Sequence, residues 1–187
     1  MYTFISLLRG INVGRQKSIR MPELKALYET LGFTKVATYV QSGNVVFDCD
    51  DSNAASIGAA IEMEIERRFG FHVTVIMRDQ NDFQRIINGN PFINPRNEDP
   101  STLHVTFLSS SPSTEIADNL KTPPGIEDEC VLRGKEIYLF CPNGYGRTKL
   151  SNSFFERKLN VLATTRNWRT VIALYGIVSS HKTNNFQ

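Results

Sequence analysis

The chain has 187 residues, of which 41% are hydrophobic and 21% charged. That length suits one large domain or two small ones, and the composition supports a buried core and excludes compositional disorder. The formal net charge is only +2, so bulk charge identifies neither a nucleic-acid nor a membrane partner. Its distribution is more telling. Met1 to Pro22 holds Arg9, Arg15, Lys17 and Arg20 with no acid, and 143–170 holds Arg147, Lys149, Arg157, Lys158, Arg166 and Arg169 against Glu156 alone. Acids gather at Asp48, Asp50 and Asp51 and at Glu62, Glu64 and Glu66, which predicts a polarised surface.

In chain order, Thr3 to Leu8 is a short apolar run and reads as a buried strand. A Gly- and Arg-containing loop follows over Arg9 to Arg20. Pro22 suits the first turn of a helix, Leu24, Leu27, Tyr28 and Leu31 have helical spacing, and Gly32 is placed to end it. Val36 to Val40 and Asn44 to Phe47 are strand-like around a Ser42-Gly43 turn. Ile57, Ile61, Ile65 and Phe69 mark a long amphipathic helix, and Val73 to Met77 a strand. This β-α-β-β-α-β order is the ferredoxin-like plait, with both helices on one face of the sheet.

Asp79 to Asn88 reads as a connecting helix, and Asn90 to Pro100, with three prolines, as a linker. His104 to Leu108 is a strand and Ser113 to Leu120 a short helix. Cys130 to Leu132 and Glu136 to Phe140 form a hairpin around Arg133-Gly134-Lys135. Two helices follow, one with Leu150, Phe154 and Leu159, the other with Trp168, Val171, Ile172 and Tyr175. The expected fold class is therefore α+β, with two ferredoxin-like (α-β plait) subdomains. The second is expected to be incomplete, its last strand missing or replaced by a helix, so that it ends in a helix pair. The expected division is 1–78, a connecting helix and linker over 79–100, and 101–187. The two halves share an element order but no evident sequence repeat.

Cys49, Cys130 and Cys141 are odd in number and widely spaced, so Cys49 and Cys141 read as small core hydrophobes. The three histidines show no ligand spacing, and no metal or cofactor is expected. There is no signal-peptide pattern at the start and no run of about 20 apolar residues, so a reducing cytoplasm and no membrane are expected.

The plait topology makes a spatial prediction. The first strand and the first strand of the hairpin run parallel, so the loop after the former and the tip of the latter lie at one sheet edge. Arg9, Gly10, Asn12 and Gly14 should meet Gln41, Ser42, Gly43 and Asn44 there. A fixed positive charge, amide and hydroxyl donors and approachable backbone N–H groups suit an anion such as phosphate or carboxylate. The alternative is that Asn12 and Asn44 satisfy turn backbone groups and the glycines supply positive φ. RGINVG is neither a GxGxxG nor a P-loop. A second candidate is Gly144-Tyr145-Gly146-Arg147-Thr148-Lys149, ahead of a helix that Thr148 or Ser151 can cap. The third is 164–170, where Thr or Asn can cap the last helix and Arg166 and Asn167 sit at a turn between two helices. No zinc, kinase or hydrolase signature is present.

The segments LLRGINVG, MPELKALYETLGF, TYVQSGNVVF, GYGRTKLSNSFFE and TTRNWRTV together resemble a mainly bacterial family of uncharacterised proteins, catalogued as domain of unknown function sixteen-ninety-seven. The resemblance implies two plait-like subdomains and supplies no activity. The matching motif positions include Arg9, Asn12, Gln41, Ser42, Asn44, Arg147, Lys149, Arg166, Asn167 and Trp168; Arg15 departs from the second glycine more usual there. The resulting expectation is binding of a phosphate-bearing ligand, a nucleotide, single-stranded nucleic acid or other anionic small molecule, by polar loops of both halves through Arg9, Asn12, Ser42, Asn44, Arg147, Lys149, Arg166 and Asn167. The alternatives are an enzyme acting on a small phosphorylated or carboxylated substrate, and an interaction or structural module without a ligand.

Overall fold

In the computed structural model, which describes residues 1–14, 17–93 and 96–183, the chain opens with β1 (Tyr2–Leu8), buried from Phe4 onward. After α1 (Met21–Thr30) come the paired strands β2 (Thr34–Tyr39) and β3 (Asn44–Cys49), α2 (Ala54–Phe69) and β4 (Val75–Asp79). Local chemistry sets the helix limits. Pro22 lies in the first turn of α1. Asn53 caps α2 by accepting from the N–H groups of Ala55 and Ser56, and Gly70, at φ +77°, ends it. Ile57, Ile61 and Ile65 bury one face of α2, each worth about 1.5–3 kcal/mol of transfer free energy.

The four strands form an antiparallel sheet in the order β2-β3-β1-β4. The helix-facing core gathers Phe4, Leu8, Val45, Phe47 and Cys49 with Leu24, Leu27, Tyr28, Ile57, Ile61 and Ile65. One polar pair interrupts it: Ser6 Oγ and the Tyr28 hydroxyl lie 2.7 Å apart. Burial pushes the Tyr28 phenol well up, against the opposing effect of that hydrogen bond.

After α3 (Gln80–Asn88) the pattern repeats with β5 (Leu103–Leu108), α4 (Thr114–Asp118), β6 (Glu129–Arg133), β7 (Glu136–Phe140), α5 (Asn152–Leu159) and β8 (Ala163–Asn167), and the chain continues as α6 (Trp168–Thr183). The second sheet, β6-β7-β5-β8, is antiparallel and has the same order as the first. Two ferredoxin-like subdomains are thus present, and the second is followed by a helix as expected. The correction concerns its last strand. Residues 163–167, expected to include a turn between two helices, form β8 and complete the plait. Its sequence, Ala-Thr-Thr-Arg-Asn, has no apolar alternation to announce a strand. The register against β5 and the Thr106–Thr165 hydroxyl bond of 2.7 Å hold it there instead.

The segment from Asn90 is not a loose connector where it is described. Phe92 is buried, its ring 5.9 Å from that of Phe140, and Asn90 Oδ1 accepts from the Phe92 N–H. Asn94 and Pro95 lie outside the described residues. The chain divides into two compact units, Met1–Gln84 with Ala173–Gln187, and Arg85–Ile172. These limits differ from a division at 79–100 and 101–187: the chain changes unit within α3 and again within α6. No described helix is long and apolar enough to cross a membrane.

Within the first unit, the end of α6 is fastened by a buried charge. Asp48 on β3 accepts from the Thr3 hydroxyl at 2.7 Å, faces the Lys35 ammonium at 3.1 Å and lies 3.1 Å from His181 Nδ1. Lys35 sits at an irregularity in the β2–β3 pairing with φ +47°, and its ammonium also donates to the His181 carbonyl. Burial works to raise the Asp48 carboxyl, but the hydrogen bonds from Thr3, His181 and Lys35 together hold it below the ordinary carboxylate value. A depressed pKa contributes stability that is complete above the unfolded value, about 4, and is lost as pH falls through the lower folded one. Replacing Asp48 by Asn should cost roughly 3 kcal/mol at neutral pH, because it strands buried donors. In urea denaturation, the gap between wild type and Asp48→Asn should narrow as pH is taken from about 5 to about 2.

Candidate functional site

β1 runs antiparallel to β3, with Leu7 opposite Asn44, and β2 also runs antiparallel to β3, with Tyr39 opposite the same Asn44. The loop after β1 and the tip of the β2–β3 hairpin therefore share one sheet edge. The Leu8 N–H donates to the Gly43 carbonyl at 2.8 Å. Gly43, at φ +73°, is so tightly placed that a Cβ would stand 2.7 Å from both Leu8 Cβ and Ile11 Cδ1. Arg9 is half-buried at the head of the loop, its backbone N–H bound to the Thr74 carbonyl.

Asn12 joins the two segments. Its Nδ2 donates to the carbonyls of Ile19 at 2.9 Å and Gln41 at 2.7 Å, and its Oδ1 accepts from the Ile19 N–H at 2.9 Å. Its own N–H donates to the Lys17 carbonyl, and the Lys17 ammonium reaches the His72 carbonyl. Left-handed backbone occurs at Gly10 (φ +71°), Asn12 (φ +54°) and Gly14 (φ +65°), every second residue of the turn. In the hairpin tip, fully buried Asn44 donates through Nδ2 to the Tyr39 carbonyl and to Ser42 Oγ, both at 2.9 Å. Arg9, Asn12, Ser42 and Asn44 therefore lie at one edge, and the amides of Asn12 and Asn44 hold backbone groups.

One feature of this edge has no sequence signal. Val40 adopts φ +50° with its side chain half exposed. Left-handed backbone costs an ordinary L-residue roughly 1–2 kcal/mol, and a β-branched side chain suits it least. Val13, in the facing loop, is 70% exposed. Arg15, the position that departs from the family pattern, lies outside the described residues.

In the second unit, Gly144 takes φ +86° and leads into a 3-10 turn over Tyr145–Arg147. Thr148 anchors this turn by donating to Asp128 Oδ2 at 2.5 Å and accepting from the Leu150 N–H at 3.0 Å. The Tyr145 ring stacks on His104 at 4.8 Å. Ser151, not Thr148, caps α5. Arg147 and Lys149 are exposed, and their side chains make no hydrogen bond or ion pair with any described residue; the Arg147 N–H donates to the Gly144 carbonyl.

Arg166 is buried on β8 and donates Nη1 to Thr164 Oγ1 at 2.7 Å and to the Thr165 carbonyl at 2.9 Å. Burial lowers its guanidinium to about 10, partly offset by Tyr145, so it remains charged at neutral pH. Asn167, the last residue of β8, caps α6 by accepting from the Thr170 N–H at 2.8 Å. The first unit has the same device. Arg78, next to last on β4, donates Nη1 to the preceding carbonyl at 2.8 Å, and Asp79 and Asp82 exchange backbone-to-carboxylate bonds of 2.9 and 2.7 Å at the start of α3. This is a short internal repeat, Arg-Asx at a strand end, that a search for sequence similarity passes over.

The acids at the end of β3 are also engaged: Asp48 as described above, and Asp51 by accepting from the Asn53 N–H and the Ser56 hydroxyl. Among the described residues, no group of three His, Cys, Asp or Glu is arranged to hold a metal ion.

The architecture defines an α+β protein of two ferredoxin-like units with polar loops at their sheet edges. The chain belongs to the family described as protein of unknown function (DUF1697), whose model matches residues 1–138. Its fold is similar to that of a conserved bacterial protein from Streptococcus pneumoniae, at 21% identity and a TM-score of 0.74, covering 95% of this chain and 98% of that one. No curated protein matches the sequence.

Asn12→Ala should destabilise the first unit by about 1–2 kcal/mol, because it leaves the part-buried backbone groups of Ile19 without their partner. Hydrogen exchange should speed up first at the Ile19 amide. Gly43→Ala should cost a comparable 1–3 kcal/mol or more through overpacking against Leu8 and Ile11, read as a fall in Tm.

Proposed function

We propose that the protein binds a phosphate-bearing ligand, a nucleotide or single-stranded nucleic acid, through these polar loops, with the loop after β1 as the principal site. The observation that carries this reading is the backbone of residues 10–14. Left-handed residues alternate there, the backbone pattern of anion-binding concavities, with the Asn12 N–H already given to the Lys17 carbonyl. Asn12 holds that backbone in place, so a ligand has little left to order. Arg9 supplies a positive charge at the head of the loop, and no acid occurs from Met1 to Pro22. In the second unit, exposed Arg147 and Lys149 beside Gly144 offer a further pair of cations. A reducing cytoplasm belongs to the same reading, supported by free thiols at Cys49, Cys130 and Cys141.

A second reading has its own observation. Asn12, Asn44 and Asn167 each bind backbone groups, which is what a purely structural module requires. Titration calorimetry with inorganic phosphate and pyrophosphate separates the two. Ligand binding predicts saturable heat for wild type and a loss of about tenfold or more in affinity for Arg9→Gln, in line with roughly 1.5–3 kcal/mol for a charge-assisted bond. A structural module predicts no heat for wild type and a lowered Tm for Arg9→Gln. If the partner is nucleic acid, affinity should fall steeply between about 50 and 200 mM salt.

A further inference from the structure

We infer that the ligand of the loop after β1 carries a planar apolar group next to its phosphate, the chemistry of a nucleoside monophosphate, and that Val13 and Val40 form the ledge on which this group packs. This inference rests on the anion-binding reading of the same loop and narrows its ligand class.

The argument starts from Val40. The hairpin tip demands left-handed backbone there, at φ +50°. Glycine or asparagine meets that demand with less strain. A β-branched residue is kept instead, yet its side chain is half in solvent, so packing within the protein accounts for it only in part. Strain that internal packing only partly offsets points to a binding surface. The partner on the facing loop is Val13, which is more exposed still. The 2.7 Å bond from Asn12 Nδ2 to the Gln41 carbonyl ties the neighbours of these two valines together. It places both residues at the edge that carries the alternating backbone of Gly10 to Gly14 and the charge of Arg9. Phosphate on the backbone and a flat apolar group across the valines would use both halves of this edge. Covering two exposed apolar side chains favours binding in proportion to the area removed from water.

The test is titration of wild type and Val40→Asn with inorganic phosphate, ribose 5-phosphate and adenosine 5′-monophosphate. Wild type should bind the nucleotide about tenfold tighter than either ligand without a base, the order expected from covering one or two valine side chains. Val40→Asn should melt at the same or a higher temperature, retain its phosphate affinity and lose most of the preference for the nucleotide. Val13→Ser gives the same readout where Val40→Asn does not fold. Equal affinity of all three ligands for wild type overturns the inference and leaves the anion site standing, as does a variant that weakens all three equally. If none of the three binds wild type, the anion-binding reading itself fails and this inference with it.

Discussion

A single side-chain amide, that of Asn12, organises the edge of the first sheet. The loop after β1 and the β2–β3 hairpin are far apart in sequence, and neither can satisfy the other's backbone through regular pairing beyond Leu8 and Gly43. Asn12 reaches the Gln41 carbonyl across that gap and holds the carbonyl and N–H of Ile19 within its own loop. The Ile19 groups are part-buried and costly to leave without partners, whereas the bond to the exposed Gln41 carbonyl sets where the two segments meet. The glycines and the left-handed residues around Asn12 supply the conformations that let its amide reach.

Buried polar groups do comparable work elsewhere. Asp48 fastens the last turns of α6 to the first sheet because it meets a hydroxyl, an ammonium and an imidazole together. The bulged, left-handed position of Lys35 aims the ammonium. At the end of each plait, an arginine next to last in the strand and an Asx residue after it start the following helix. The two units thus share a local device as well as a strand order. In each case the stabilisation comes from exchanging water for a complete set of protein partners, the condition under which buried polar groups are tolerated.

Much of the fold was legible in residue patterns. Apolar spacing at Leu24, Leu27 and Tyr28, and at Ile57, Ile61 and Ile65, marked the two helices of the first plait, and these side chains line its core. The hairpin turn at Ser42-Gly43 and the meeting of the two loops at one edge followed from topology. β8 was not legible, because Thr164, Thr165 and Arg166 carry none of the apolar alternation that signals a strand; its place is set by pairing with β5. Val40 was equally silent, since its residue type argues against the backbone it adopts. Asn12, Ser42 and Asn44 were recognisable as polar residues at an edge. Residue type alone left open whether Asn12 and Asn44 meet a ligand or satisfy turn backbone groups, and the structure turns both amides to backbone groups.

The sequence by itself determined the class of the chain: two successive plait patterns, an ordinary hydrophobic core and no long apolar span. Periodicity and turn chemistry are local properties, carried by residues within a few positions of one another, so they can be read in one dimension. Only the tertiary structure decided the partners of the polar side chains and the existence of the eighth strand. Both depend on groups distant in the chain: Asn12 on Gln41, Asp48 on His181, and Thr165 on Thr106. A hydrogen bond is specified by distance and direction between two atoms, and no spacing along the chain encodes either.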